Sequence, residues 1–267
     1  MRLTFVIPAY NEEKYLPGCL ESILNQTRQL PNSGREIVEI IVVNNASTDN
    51  TKQVALNYPG VRVVDEPRKG LTFARQAGFL ASSGALIANV DSDCRLTPDW
   101  IARVLNAFGS DPTLAALSGP FIYYDLTPAQ RFFVRIFYAT AFFTYLINRY
   151  ILRVGSMVQG GNFVLTRAAL DAIGGFDTSI SFYGEDTDIA RRVSAVGKVR
   201  FTFKLKMLSS ARRLKREGIL NIAARYTINY FWTTFFKRPY TNSYIDIRED
   251  SPSRQSVPAS ARAAHEK

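Results

Sequence analysis

Leu86-Ile87-Ala88-Asn89-Val90-Asp91-Ser92-Asp93, residues 86–93, decides how the rest of the chain is read. A mostly apolar run passes directly into two carboxylates one residue apart. A short apolar run closed by turn formers reads as a buried strand, here Leu86–Val90. In open α/β sheets ligands gather beyond the carboxyl ends of strands. Asp91 and Asp93 therefore stand where a ligand would be met. Two aspartates on such a turn suit one hard divalent cation, which takes few protein carboxylates and completes its shell with substrate phosphate oxygens. A cation there would neutralise charge on a departing diphosphate. The competing reading is a solvated Asp-x-Asp turn.

Working outward, strand and helix alternate. Leu3–Ile7 is an apolar run that stops at Pro8 and predicts a strand. Asn11–Gln26 carries Tyr15, Leu16, Cys19, Leu20, Ile23 and Leu24 at helical spacing, with Glu12 and Glu13 in the first turn. Glu39–Val43 and Val61–Val64 read as strands. Ser47–Tyr58 reads as a helix capped by Ser47 or Thr48, and Gly70–Ser82 as another. Thr97 as N-cap and Pro98 at the first helical position open a helix through Phe108. This alternation predicts a mainly parallel sheet with crossover helices. Beyond it, Ala115–Tyr124, Gly160–Leu165 and Val199–Phe203 read as strands. Pro128–Leu152, Arg167–Ile173, Glu185–Val196 and Ile219–Phe236 read as helices. After Asp246 the chain turns polar and is expected to be disordered. The expected division is a catalytic α/β domain over 1–210, a basic aromatic helical extension over 211–245 and a tail over 246–267.

Composition narrows the chemistry. The chain has 267 residues, 46% of them hydrophobic, enough for one large α/β domain with an appendage. Its two cysteines, Cys19 and Cys94, form no CxxC pair, which argues against a disulfide scaffold or a structural zinc. The only histidine is His265, near the carboxyl terminus, so acid–base work falls to carboxylates, Lys, Tyr or Cys. Leu3–Ile7 is too short for a leader, and no clean stretch of about 20 apolar residues predicts a membrane span.

Four further motifs carry chemistry. Gly184-Glu185-Asp186 opens a helix, and an Asp or Glu there is the available base for an acceptor hydroxyl; the alternative is that these acids simply favour a helix N-terminus. Ile7-Pro8-Ala9-Tyr10-Asn11-Glu12-Glu13 reads as strand, turn and helix, a nucleotide-site geometry without a dinucleotide fingerprint or a P-loop. Tyr10 would cover a base and Glu12 would bond to base or ribose. Asn44-Asn45 ends the second strand, where an amide meets a base edge or closes an Asx turn. Arg68-Lys69-Gly70 and Arg75 offer cations to a base or diphosphate, or form a solvated helix start.

In order and spacing, VIPAYNEE (6–13), VVNNASTDNT (42–51), KGLTFARQAG (69–78), NVDSD (89–93), GGNFVLTRAAL (160–170) with IGGFD (173–177), and GED (184–186) resemble the family 2 glycosyltransferases. The resemblance spans about residues 3–203. It implies a GT-A fold: a Rossmann-like α/β/α sandwich with a mixed central sheet, here followed by a C-terminal amphipathic helix. It implies Pro8, Tyr10 and Glu12 around base and ribose, and Asn45 where the family usually has a base-binding Asp. It implies Arg75 near the base, Asp91 and Asp93 at metal and diphosphate, and Asp186 as general base with Glu185 beside it. It implies a UDP- or GDP-type donor, Mg2+ or Mn2+ as cofactor, and an inverting single displacement. Processive members carry QxxRW after the acidic pair. Here that helix reads Asp188-Ile189-Ala190-Arg191-Arg192-Val193, which predicts transfer of one sugar. The rival readings are a nucleotidyltransferase, which would carry a Gly-rich basic loop where this chain has PAYNEE, and a non-catalytic nucleotide-sugar-binding protein, against which the intact acidic motifs weigh.

The formal net charge is +10. Between Arg200 and Tyr240 stand ten Lys or Arg and one acid, Glu217, and residues 131–153 hold four Arg and no acid. Both stretches are rich in Phe and Tyr. Basic aromatic helices of this kind lie in the headgroup plane of an anionic membrane, or pack on the sheet or a second subunit with Arg at the rim. The first reading predicts a cytoplasmic protein held peripherally at the inner face of the cell membrane, with a lipid-linked acceptor. No zinc-finger or RNP-like signature supports nucleic acid.

Overall fold

The computed structural model describes residues 1–30, 37–152, 157–241 and 244–248. The amino-terminal part alternates β1 (Leu3–Ala9), α1 (Leu16–Gln29), β2 (Val38–Asn44), α2 (Thr51–Leu56), β3 (Val61–Asp65), α3 (Leu71–Ala81) and β4 (Leu86–Val90). Next come β5 (Arg95–Leu96), α4 (Trp100–Ser110), β6 (Leu114–Ser118), β7 (Phe121–Tyr123) and α5 (Pro128–Leu146), which runs on as a π-helical stretch, Ile147–Leu152. The remainder is β8 (Asn162–Thr166), α6 (Arg167–Ala172), α7 (Glu185–Ser194), β9 (Lys198–Phe201), β10 (Met207–Ser209), α8 (Arg212–Glu217) and α9 (Ile219–Phe236).

Among the described residues, seven strands form a mixed sheet in the order β3-β2-β1-β4-β8-β6-β9. β1 to β4 are mutually parallel, and β8 runs antiparallel to both β4 and β6. Side chains alternate across the sheet. Phe5 and Ile7 face a layer with Leu16, Leu20, Ile23 and Trp100, whereas Val6 faces Ala74, Phe79, Ile189 and Val193. Helices thus cover both faces, giving the expected α/β/α sandwich. A small second sheet, β5-β10-β7, sits beside it.

Several boundaries differ from the sequence reading, each for a physical reason. β1 continues through Pro8, which pairs with Val43 of β2. The β4 side of β1 is paired only as far as Val6, so the missing proline N–H falls beyond that ladder. α1 begins at Leu16 rather than Asn11, with Pro17 in its first turn, where proline is best tolerated. Asn11 has φ 50°, a left-handed turn, so Glu12 and Glu13 precede the helix. Ser47 and Thr48 cap no helix; α2 starts at Thr51, and both hydroxyls bond to Asn11. Thr97 is no cap either. Its hydroxyl donates to the Lys206 carbonyl at 2.7 Å, and α4 begins after Asp99. The single strand expected over Ala115–Tyr124 divides at Gly119-Pro120 into strands of different sheets. A side chain at Gly119 would strike the Leu205 carbonyl. Buried Asn162 locks this crossing by donating to the carbonyls of Gly119 and Leu205, each at 2.9 Å. The short elements β5, β10 and α8 had no periodicity long enough to read. Of the expected disordered tail, Asp246 and Arg248 are packed against the body of the protein, and residues 249–267 lie outside the described residues.

Candidate functional site

Four strand ends and one helix start converge at one edge of the main sheet. Asp91 follows β4, and its N–H donates to the Gly161 carbonyl at 3.4 Å. Gly161 has φ 81°, and a Cβ there would overlap the Asp91 carboxylate. One residue earlier, the Gly160 N–H donates to Asp186 Oδ2 at 3.3 Å. The Gly160-Gly161 pair therefore stitches the acid at the end of β4 to the acid at the start of α7. Gly161→Ala adds both a clash and backbone strain, which costs about 1–3 kcal/mol for such a conformation. The expected outcome is a lowered melting temperature together with a loss of activity that outlasts correction for the folded fraction.

Arg75, on α3, lies beneath this pair and is only 1% exposed. It pairs with Asp91 Oδ1 at 3.3 Å and with Glu185 Oε2, and its guanidinium carbon is 5.1 Å from the Phe163 ring centroid. This corrects the expectation of a base-contacting Arg75: the residue is a buried clamp for two carboxylates. Burial pushes the Glu185 carboxyl up to about 7, with Arg75 opposing and Asp186 adding to the rise. Burial also raises Asp186 above the usual carboxylate range, held back by the Thr187 and Gly160 N–H groups and by Arg75.

Asp93 points to a second cation. Arg212 Nε donates to Asp93 Oδ2 at 3.0 Å, and the same guanidinium pairs with Glu12. Arg248 Nε approaches Glu12 Oε1 at 3.3 Å. Burial lifts Asp93 to about 6, with Arg212 opposing and Glu12 and Asp91 reinforcing. Glu12 is buried, and its N–H donates to Thr51 Oγ1 at 2.7 Å. The Lys69 ammonium lies 3.9 Å from the Tyr10 ring centroid and pairs with Asp246 at 3.0 Å.

Asn45 is buried, and both amide hydrogens are committed, to the carbonyls of Glu66 and Arg68 at 3.0 and 2.7 Å. Its Oδ1 accepts from the Gly70 N–H at 2.8 Å. The direct base contact expected of this amide is thus replaced by a bracing role: Asn45 holds the 66–70 turn and so aims Lys69.

Pro8, Tyr10, Glu12, Asn45, Arg75, Asp91, Asp93, Glu185 and Asp186 all line one cavity of about 690 Å3. The structure thus brings these nine residues together around one cavity. The sequence reading missed Gly160 and Gly161 as the stitch, and it counted Arg212 only within a basic run. Arg248 had no local signal, being 236 residues from Glu12.

No group of three or more His, Cys, Asp or Glu forms a ready-made metal cage among the described residues. Asp91 and Asp93 nevertheless fit a hard cation that draws its other ligands from a substrate diphosphate. The Asp91 side chain is 37% exposed to the cavity, and the glycine at 161 leaves room beside it.

The family model described as Glycosyl transferase family 2 matches residues 4–174. This chain belongs to that family. The chondroitin synthase of Pasteurella multocida (strain Pm70) is 35% identical over 119 residues, 43% of this chain and 12% of that protein. The dolichyl-phosphate beta-glucosyltransferase ALG5A of Trichomonas vaginalis is 39% identical over 97 residues, 34% of this chain and 30% of that protein. The matches thus span less than a third of either relative's length. Among solved structures, a mannosyltransferase from Pyrobaculum calidifontis in complex with GDP-Man and Mn2+ superposes with TM-score 0.64 at 20% identity, over 88% of this chain and 63% of that one. Glucosyl-3-phosphoglycerate synthase from Mycobacterium tuberculosis, with Mn2+, UDP-glucose and phosphoglyceric acid, gives 0.59 at 19% identity, over 91% and 82%. These likenesses establish the GT-A fold of this family 2 glycosyltransferase. The family match ends at residue 174, so α7 with Glu185 and Asp186, and α8 with Arg212, are assigned to the site by geometry.

Proposed function

We propose that this glycosyltransferase moves one sugar from a nucleoside-diphosphate sugar, of UDP or GDP type, onto an acceptor hydroxyl in a single inverting displacement. The observation that carries this reading is the stitch through Gly160-Gly161, which holds Asp91 and Asp186 at one cavity. The two structural neighbours bound to GDP-Man and to UDP-glucose, each with Mn2+, support the donor class.

In the proposed reaction Asp186 accepts the hydroxyl proton as the acceptor oxygen bonds to the anomeric carbon. The bond from that carbon to the diphosphate oxygen breaks, and its electron pair leaves with the nucleoside diphosphate. Asp91 and Asp93 would hold Mg2+ or Mn2+, which would supply charge neutralisation to that leaving group. Arg75 opposes the burial-driven rise at Glu185 and holds Asp91 and Glu185 in place. Pro8, Tyr10 and Glu12 shape the nucleoside end of the cavity. Arg191 and Arg192 of α7 bond to Asp188, and Arg192 also donates to the carbonyls of Ile173 and Gly175. These arginines serve packing, which agrees with single transfer.

A pH profile tests the base. Asp186 works only when deprotonated, and its carboxyl is raised above the ordinary 3.8. Falling pH should therefore cut kcat/KM along an acid limb centred above that ordinary value. A profile flat down to pH 4 would remove Asp186 as base.

The reading extends to a lipid-linked acceptor at the anionic inner face of the cell membrane. Among the described residues no helix is long and apolar enough to cross a membrane. Support comes from the basic, aromatic helices α5 and α9, with Phe132, Phe133, Phe143, Phe235 and Phe236 exposed, and from a relative named as acting on dolichyl phosphate. Co-sedimentation with anionic but not neutral vesicles at low salt is the expected result; equal recovery in the supernatant would remove the membrane from the account.

A further inference from the structure

Helices α5 and α9 bury several polar groups and leave many large apolar side chains exposed. The positions of α9 turned into the protein are Ile222, Asn229, Thr233 and Thr234, at 2%, 1%, 0% and 6% exposure, whereas Leu220 is 84% exposed and Phe231, Phe235 and Phe236 are also exposed. Asn229 is fully used: its amide donates to Thr241 Oγ1 at 2.8 Å and accepts from the N–H groups of Tyr240 and Thr241 at 3.0 Å. In α5 the buried residues are Tyr138 and Tyr145. The Tyr138 hydroxyl accepts from the Phe121 N–H at 3.1 Å and donates to Gln159 at 2.7 Å. Hydroxyl and amide groups thus help anchor both helices beside Ile222 and the partly buried Val134, Phe142 and Leu146, while much of their apolar surface stays exposed. A soluble surface helix turns most of that surface inward.

The space between these helices is part of the site. The cavity that holds Asp91, Asp93, Glu185 and Asp186 continues between α5 and α9, where Phe133, Phe137, Ala141, Leu220, Ala223 and Phe231 line it. An apolar arm opening from a catalytic centre matches neither a nucleotide nor a free sugar, since neither carries a hydrocarbon chain. Arg212 and Arg213 of α8 line the same cavity. The acid of α8, Glu217, is already paired with Arg213 and Arg225. Cations on the wall of a cavity with an apolar arm match an amphiphile with an anionic head.

We infer that the apolar arm between α5 and α9 seats the hydrocarbon chain of the acceptor, a single-chain anionic lipid whose hydroxyl is thereby presented to Asp186. This rests on the transferase reading above and adds to it where the acceptor lies and what it must carry.

The test uses the full chain and n-alkyl phosphates from butyl to decyl, each below its micelle concentration, with inorganic phosphate as the chainless control, by titration calorimetry. Affinity should rise about threefold to fourfold per added methylene, the increment for burying one CH2. Ala141→Trp and Ala223→Trp, which fill the arm from opposite helices, should flatten that dependence. The thermal shift produced by UDP or GDP with Mn2+ should survive in both variants, showing that they are folded. A series flat with chain length in the parent protein, or an unchanged slope in folded Trp variants, overturns the inference. Failure of the nucleotide shift in the parent protein would instead count against the transferase proposal.

Discussion

Asp186→Asn is expected to lower the transfer rate by about 10²- to 10⁴-fold, the usual contribution of a positioned general base, while nucleoside diphosphate still binds. The substitution keeps shape and size but removes the site that takes the proton. Asp186 is held by the Thr187 N–H at 2.8 Å and the Gly160 N–H at 3.3 Å. An asparagine Oδ1 can accept one of these bonds, so the backbone at Gly160 should stay in place. Steady-state kinetics with a saturating donor, beside calorimetric titration of the nucleoside diphosphate, separates the two effects. A loss of affinity with kcat preserved would make Asp186 a binding residue instead.

Arg75→Met should produce the largest loss of stability. Removing one partner of a buried ion pair costs about 3–5 kcal/mol, because the remaining charge is left uncompensated. Here Glu185 is buried and Asp91 partly exposed, and Arg75 serves both. At roughly 2–4 °C per kcal/mol for a domain of this size, the melting temperature should fall by about 6–20 °C. The penalty has a definite pH dependence. The Glu185 carboxyl titrates at about 7 in the folded protein against 4.5 ordinarily, so the folded state holds a proton that the unfolded state releases. The contribution of Glu185 to stability is therefore fully present below about 4.5 and is lost as pH rises through 7. Without Arg75 the folded value moves higher still, so the gap between variant and parent should widen from pH 5 to pH 8. Denaturant unfolding across that range checks both sign and size.

Much of this was legible because local pattern and global fold agree. Leu86–Val90 and Ile219–Phe236 have the bounds their apolar runs predict. Asp91, Asp93, Glu185 and Asp186 were singled out because carboxylates at strand ends and helix starts carry a chemical meaning. What failed was decided at a distance. Thr97-Pro98 has the grammar of a helix start, yet the Thr97 hydroxyl is taken by the Lys206 carbonyl, 109 residues away. Asn45 stands at the expected strand end, but the turn at 66–70 consumes its amide. Arg75 carries a charge that pattern places at a nucleotide, whereas the fold buries it between acids. Which face α9 buries was left open, because that depends on partners that periodicity does not name.

The central claim is that Asp91 and Asp93 present a cation to the donor diphosphate at the cavity where Asp186 meets the acceptor. Its most direct test is calorimetric titration of UDP and of GDP into the parent chain, Asp91→Ala and Asp93→Ala, each with Mn2+ and with EDTA. The account predicts that one nucleotide binds the parent at least about tenfold more tightly with Mn2+, a difference of 1.4 kcal/mol, and that both variants lose this gain. Equal affinity with and without Mn2+ in the parent, or a metal gain retained by folded Asp91→Ala and Asp93→Ala, would contradict it.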